Sequence, residues 1–135
     1  MREKYPPSAA ANLSALQLAF IGDAVYNLFM RLSALSNGGC VKKLHLGTTR
    51  RVNAVAQAQA LSAIEPYLSQ EEQAIVKRGR NAHARHAAPK SATLAQYCAS
   101  TGFEALIGYL YLSGQDRRLD ELFGLIDQNQ GKDQL

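Results

Sequence analysis

The most apolar part of the chain, residues 13–35, contains the segment LQLAFIGDAVYNLF at residues 16–29. Its apolar residues recur at the spacing of one helix face: Leu13, Leu16, Phe20, Ala24, Leu28 and Leu32. Ser14 is a residue type that caps helix starts, and the glycines of SNGG at residues 36–39 suit a helix end. We therefore expect a helix from Ser14 to about Ser33.

Helical patterns also dominate the rest of the chain. Four further helices are expected at about Thr49–Ser62, Ser69–Arg78, Ser91 or Thr93 through Ser113, and Arg117–Asp127. Residues 41–49 suit a short helix and a turn, residues 80–90 a basic loop, and residues 128–135 a frayed end. Because no long segment alternates with period two, the sequence predicts an all-α domain of five or six helices.

Composition narrows the class of protein. The chain has 135 residues, 47% of them hydrophobic, which suits one domain spanning residues 1–135. Its two cysteines, Cys40 and Cys98, are far apart and form no C-x-x-C pair, which argues against a disulfide framework or a structural zinc site. Residues 1–14 do not resemble a secretory signal, and polar residues interrupt the apolar run at 13–35. We expect a soluble, cytoplasmic protein with no membrane association.

Positive charge is concentrated in the middle of the chain. Ten Lys or Arg residues and three acids lie between Ala24 and Phe103, and no acid occurs from Gln73 to Phe103. A basic segment of this kind suits a polyanionic partner such as a nucleic acid. A solvated basic face without a partner explains the same charges, and charge alone leaves both interpretations open.

Two acids lie within apolar helical segments. Asp23 belongs to LAFIGDAVYNLF, and Glu104 belongs to STGFEALIGYLYL. A buried carboxylate must be neutralised, paired with a cation, or bound to a metal. Pairing with an arginine such as Arg31 or Arg50 would be a structural explanation for either acid.

Each of these acids has a glycine close by. Gly22 precedes Asp23, and Gly108 lies one turn after Glu104. Glycine destabilises a helix interior by about 1 kcal/mol relative to alanine, but it allows another backbone to approach closely. If the two helices cross at these glycines, the carboxylates converge and can form a site for a hard cation such as magnesium.

The same segments resemble signatures of the ribonuclease III family. LQLAFIGDAVY is similar to its first signature, and STGFEALIGYLYL to its second, F-E-A-L-I-G with a following apolar run. KRGRNA at residues 77–82, followed by Pro89-Lys90, resembles the short branch called mini-ribonuclease III, which lacks a separate double-stranded-RNA-binding domain. The resemblance covers about residues 12–126.

This resemblance implies a fold and an activity. It implies an all-α endonuclease domain of five to seven helices, an obligate homodimer, and hydrolysis of double-stranded RNA that gives 5′-phosphate and 3′-hydroxyl ends. Asp23 and Glu104 are then expected to be the catalytic residues and the ligands of Mg²⁺, for which Mn²⁺ can substitute. Members of the short branch mature 23S ribosomal RNA, so its precursor is the expected substrate.

The sequence departs from the family at two site positions. The family site has four carboxylates, but two of the corresponding positions here hold Ala19 and Thr101. We therefore expect weaker metal binding and one tightly held magnesium rather than two. Water, or the Thr101 hydroxyl acting through water, would complete the metal's ligands.

The basic segment supplies the expected RNA contacts. The candidate RNA-binding residues are Lys77, Arg78, Arg80, Asn81, Arg85 and Lys90, with Arg50 and Arg51 as further candidates. Asn81 is suited to contact with a 2′-hydroxyl, since duplex RNA is recognised by its shape, phosphates and 2′-hydroxyls. His83 and His86 suit phosphate contact better than catalysis, and His45 is a weak catalytic candidate.

Two rival functions remain at this point. A catalytically inactive module that binds double-stranded RNA would explain Ala19 and Thr101, but it has no use for two buried acids. A helical protein-interaction domain would explain the fold, but not the acid-free span at residues 73–103.

Overall fold

The computed structural model describes residues 5–82 and 91–133, and every regular element in that part of the chain is helical. The α-helices are α1 (Pro7–Ala11), α2 (Ala15–Ser36), α3 (Val41–Val52), α4 (Ala54–Ile64), α5 (Gln70–Asn81), α6 (Leu94–Leu112) and α7 (Asp116–Asp133). A 3-10 turn at Glu65–Tyr67 links α4 to α5, at the expected interruption before Pro66. The predicted all-α class is confirmed.

Capping residues define the starts of three long helices. The side chains of Ser14, Ser69 and Thr93 each accept a hydrogen bond from the backbone N–H three residues on, at 3.0–3.2 Å. In each case the Gln or Glu at that position accepts a hydrogen bond from the capping residue's own N–H, which completes a capping box. Beyond the end of α2, Gly38 has a φ of 75°, a conformation that glycine adopts without strain.

The central contact of the fold is the crossing of α2 and α6. A Cβ atom at Gly22 would overlap the backbone carbonyl oxygen of Glu104, and one at Gly108 would overlap that of Leu18. The two backbones therefore touch with no side chain between them. The close approach that the glycines predicted is confirmed.

Helix α6 is the core of the molecule. Residues 100–110 of this helix are buried, apart from Glu104. On one side, Tyr26 of α2 packs edge-on against Phe103, with ring centroids 4.9 Å apart. On another, α7 buries the face that its periodicity predicted, which consists of Leu119, Leu122, Phe123 and Ile126. Since α6 packs against α2, α4, α5 and α7, it fixes how these helices lie relative to one another.

Two expected helix boundaries are wrong in the middle of the chain. The helix expected from Thr49 to Ser62 is two helices, because α3 runs to Val52 and the Asn53 side chain caps α4 by accepting a hydrogen bond from Ala56 N–H at 2.8 Å. Helix α5 does not stop at Gly79 but continues to Asn81. Gly79 serves packing instead, since a Cβ there would lie 2.6 Å from the Cα of Gly102 in α6.

The ends of the chain also differ from expectation. Helix α7 continues to Asp133, so residues 128–133 are helical rather than frayed. The short helix α1, which the sequence did not predict, precedes α2 and buries Ala10. Of the expected loop at 80–90, residues 80 and 81 belong to α5, and residues 83–90 lie outside the described residues.

The apolar stripe that predicted α2 does not face the core. Leu16, Phe20, Leu28 and Leu32 are 42–79% exposed, whereas the opposite face, with residues such as Tyr26, is buried against the bundle. The length and apolar composition of α2 would suit a membrane span, and they would equally suit the core helix of a globular protein. Helix α2 thus has two apolar faces, only one of which is covered within this chain.

Candidate active site

Asp23 and Glu104 come together where α2 and α6 cross. Asp23 directly follows Gly22, the glycine that lies against the backbone of Glu104. The two carboxyl groups are within hydrogen-bonding distance of each other. Asp23 is exposed and Glu104 only partly so, and the pair is therefore open to solvent on the Asp23 side.

The environment of Glu104 disfavours its charged form. Burial raises the pKa of the Glu104 carboxyl, the neighbouring Asp23 raises it further, and the net result is a pKa of about 8. The side chain of Gln57 acts in the opposite direction by hydrogen bonding to Glu104. Among the described residues, no cationic side chain contributes to this pKa.

Arg31 does not neutralise either acid. Its Nε donates a hydrogen bond to Asn27 Oδ1, one turn back on α2, at 2.6 Å. The structural explanation by an Arg31 ion pair is therefore wrong. The side chain of Arg50, the other arginine considered, lies outside the described part of the structure.

Gln57 is a site residue that sequence reasoning missed. It lies in the first turn of α4 and is only 3% exposed, with its amide against the Glu104 carboxyl. A signal was present, because Gln57 is in helical register with Leu61 and Ile64, which are buried. A polar residue on the apolar face of a helix is the pattern that identifies such a position.

The two positions that depart from the family pattern add no further carboxylate. Ala19 is buried. Thr101 is 3% exposed, and its hydroxyl donates a hydrogen bond to the Tyr97 carbonyl oxygen at 3.2 Å. This hydrogen bond uses the hydroxyl proton and leaves the oxygen able to accept, so a contact to a metal through water stays a prediction. In the described ranges, no group of three or more His, Cys, Asp or Glu side chains could hold a metal, so Asp23 and Glu104 stand as a pair.

The basic residues of α5 differ in their contacts. Arg78 donates hydrogen bonds of 2.7 Å to the carbonyl oxygens of Ala11 and Leu13, so it ties α5 to the segment between α1 and α2. Arg80 forms an ion pair with Glu65. Lys77 is exposed on the same helix.

A cavity of about 350 Å³ beside α5 brings three of the candidate RNA-binding residues together. Lys77, Arg80 and Asn81 line it, with Glu65 and Gln73 also at its wall. Arg85, Lys90, His83 and His86 lie outside the described residues, as do the side chains of Arg50 and Arg51 on α3. His45 is exposed and lines a different groove, together with Leu32 and Leu35.

The fold and the carboxylate pair agree with comparisons to known proteins. Residues 16–115 match the family model of the Ribonuclease III domain. The chain belongs to the ribonuclease III family. As a member of that family it is an endoribonuclease, and both signatures that carry Asp23 and Glu104 lie within the matched range.

Relatives of this ribonuclease III chain are short proteins of the same branch. Mini-ribonuclease 3 of Symbiobacterium thermophilum is 52% identical over 82% of this chain and 85% of that protein. Mini-ribonuclease 3 of Clostridium tetani is 40% identical over 96% of this chain and 91% of that protein. The resemblance to mini-ribonuclease III is therefore confirmed.

A solved structure supports the ribonuclease III fold as well. The crystal structure of a Fusobacterium nucleatum protein superimposes with a TM-score of 0.79 and 29% identity, covering 88% of this chain and 95% of that chain. The family acts on double-stranded RNA and is generally dependent on divalent metal ions. These relationships favour an enzyme over an inactive RNA-binding module or a protein-interaction domain.

Proposed function

We propose that Asp23 and Glu104 jointly bind one magnesium ion, for which manganese can substitute, and thereby support cleavage of double-stranded RNA. The observation that carries this proposal is the convergence of two carboxyl groups without a cationic partner among the described residues. Two ionised carboxylates at this distance repel each other, and a divalent cation removes that repulsion. The raised pKa of Glu104 reflects the burial and repulsion that a bound cation would offset.

The residues present fit such an ion. Magnesium takes one or two carboxylates and fills its other positions with water and substrate phosphate oxygens. Exposure of Asp23 gives water and RNA access to the pair. When bound, the ion lowers the pKa of a water molecule and stabilises negative charge on the phosphate oxygens. Because Ala19 and Thr101 add no carboxylate, the pair is suited to one ion rather than two.

The protein's own side chains bind and orient the RNA in this proposal. Lys77, Arg80 and Asn81 share one cavity wall, and positive charge on this face favours the phosphate backbone. Arg78 anchors the chain before α2 through two backbone carbonyl oxygens, so its contribution to RNA binding is secondary. Four further residues remain candidate contacts to the RNA: Arg50, Arg51, Arg85 and Lys90.

We also propose that the chain acts as a homodimer formed through α2. The exposed apolar residues run from Leu16 to Leu35, a length of roughly 28 Å at 1.5 Å per residue. Phe20 is 79% exposed and lines a cavity together with Leu16. Large exposed apolar patches mark interaction surfaces, and a two-fold axis would supply one active site for each RNA strand.

We propose the precursor of 23S ribosomal RNA as the natural substrate, processed in the cytoplasm. Support comes from the likeness to mini-ribonuclease III at KRGRNA, residues 77–82, and from relatives that carry the name mini-ribonuclease 3. A transcript whose paired ends are those of 23S ribosomal RNA should be cut at discrete positions. An unrelated duplex of equal length that is cut equally well would contradict this choice of substrate.

The test of the proposed function is cleavage of duplex RNA by the native protein, Asp23→Asn and Glu104→Gln. We expect the native protein to cut with magnesium or manganese and to stop when EDTA is added, while both variants bind duplex without cutting it. Asp120→Asn, which alters an exposed acid on α7, is the control and should cut normally. Native protein that binds duplex and never cuts it, with either metal, would refute the proposal.

A further inference from the structure

Gln57 occupies a fixed position beside the carboxylate pair. Asn53 caps α4 through its side chain, which accepts a hydrogen bond from Ala56 N–H at 2.8 Å. The backbone N–H of Gln57 itself donates to the Asn53 carbonyl oxygen at 2.9 Å. The first turn of α4 is therefore held at both its backbone and its cap, and Gln57 extends from it toward Glu104 of α6.

A buried amide at this position would destabilise the fold unless it interacted with another polar group. Gln57 is 3% exposed, and the residues in register with it, Leu61 and Ile64, are 1% and 0% exposed. A buried amide without hydrogen-bond partners costs about 1–3 kcal/mol, which leucine or methionine would avoid while filling similar space. The Glu104 carboxyl is the polar group with which this amide interacts, and the interaction lowers the pKa of Glu104.

We propose that Gln57 is a positioning residue that orients the Glu104 carboxylate toward Asp23 for metal binding. This inference rests on the proposed function of the pair. A neutral amide suits this role better than an arginine or lysine, because it occupies one carboxylate position without cancelling the negative charge that attracts the cation. The remaining acceptor positions of Glu104 stay available for the ion.

The test measures Mn²⁺ binding to the RNA-free protein by calorimetric titration. Gln57→Met retains an unbranched side chain of similar volume and removes the amide, and Gln59→Leu alters an exposed glutamine of the same helix as the control. Loss of a group that orients a metal ligand typically weakens metal affinity about 10- to 100-fold. We expect that loss for Gln57→Met, together with a raised magnesium requirement for cleavage, and native affinity for Gln59→Leu.

Further measurements separate positioning from a purely structural role. Thermal melting without metal reports any loss of stability, and duplex binding in calcium, with cleavage suppressed, should be unchanged. If Gln57→Met does not fold, Gln57→Asn replaces it as the test variant. The amide of asparagine is carried on a side chain one methylene shorter, so its interaction with Glu104 and the affinity for Mn²⁺ should both weaken. Lower stability with Mn²⁺ affinity within twofold of native would overturn the inference.

The outcomes also distinguish this inference from the proposed function. If the native protein binds no Mn²⁺, or if the Asp23→Asn variant binds Mn²⁺ as tightly as the native protein, the metal site and the role of Gln57 are refuted together. If the Asp23→Asn variant loses Mn²⁺ binding and the Gln57→Met variant keeps it, the role of Gln57 alone is refuted.

Discussion

Substitution of Gly22 by alanine tests whether the helix crossing positions the carboxylates. A Cβ at Gly22 would lie 2.6 Å from the carbonyl carbon of Glu104 and 2.9 Å from the amide nitrogen of Gly108. The carbonyl oxygen of Glu104 would lie closer still. Favourable contacts between such atoms need about 3.5–4.0 Å, so α2 and α6 must separate by at least about 1 Å. All of these neighbours are backbone atoms, and no side-chain rotation can relieve the overlap.

The expected effect combines opposing terms. Overpacking costs about 1–3 kcal/mol and sometimes more, whereas alanine improves helix propensity by about 1 kcal/mol. Because backbone cannot yield as a side chain does, we expect a net loss of about 2 kcal/mol for Gly22→Ala. For a domain of this size, that loss lowers Tm by about 8 °C. Misplacing a catalytic group by about 1 Å can reduce the rate about 100-fold.

Thermal melting and duplex cleavage measure the two effects. Gly124→Ala is the matched control, because Gly124 lies in α7 with nothing within 4 Å of its added Cβ. That variant should retain activity and gain up to about 1 kcal/mol. If Gly22→Ala melts and cleaves like the native protein, the argument that the glycine crossing builds the site is refuted.

Three further substitutions test separate parts of the account. Phe20→Asp should convert the dimer to a monomer in light scattering without destabilising the chain's own fold, since Phe20 is 79% exposed; an unchanged dimer would contradict the interface. The pKa of Glu104 is raised from 4.5 to about 8, so the folded state binds its proton more tightly and metal-free stability should fall as pH rises between these values. Glu104→Gln should remove that dependence and melt higher than the native protein at about pH 8 in EDTA, and equal pH dependence of both would contradict it. Lys77→Ala should weaken duplex binding and reduce its salt slope by about 1, whereas an unchanged slope would exclude this phosphate contact.

The parts of the fold that the sequence predicted depend on local chemistry. Ser14, Ser69 and Thr93 are capping residues whose hydrogen bonds lie within four residues, so they can be recognised without tertiary structure. The convergence of Asp23 and Glu104 could also be predicted, because glycines in two apolar helices indicate a close crossing. Both inferences use properties of one helix or of a pair of helices.

Other features depend on which surface a residue meets. The sequence predicts that Gly79 ends α5, but Gly79 lies inside the helix and packs against Gly102. Glycine occurs both at helix ends and at close helix contacts, so the residue type alone does not distinguish the two. Asn53 lies inside a helix predicted from the sequence, but in the structure it caps the start of α4. Phe20 has the spacing of a core residue, yet its face of α2 is uncovered in the single chain. Periodicity identifies an apolar face, but not whether the same chain covers it.

In the candidate site, too, some residues can be predicted from local sequence and others depend on tertiary contacts. Gln57 and Gln59 lie on one helix in a similar sequence environment, but only Gln57 is buried against Glu104. Arg78 counts as one more positive charge in the sequence, whereas it holds two backbone carbonyl oxygens from a segment more than sixty residues away. Contacts between residues so distant in sequence leave no local pattern from which to predict them.

A double-mutant cycle tests most directly whether Asp23 and Glu104 serve one metal ion. Single-turnover cleavage of a saturating duplex would be measured for the native protein, Asp23→Asn, Glu104→Gln and the double variant. If both side chains hold the same ion, either substitution removes nearly all the rate, and the double variant cuts no more slowly than the single variants. Rate losses that multiply in the double variant would show that the two carboxylates act independently and would contradict a shared metal site.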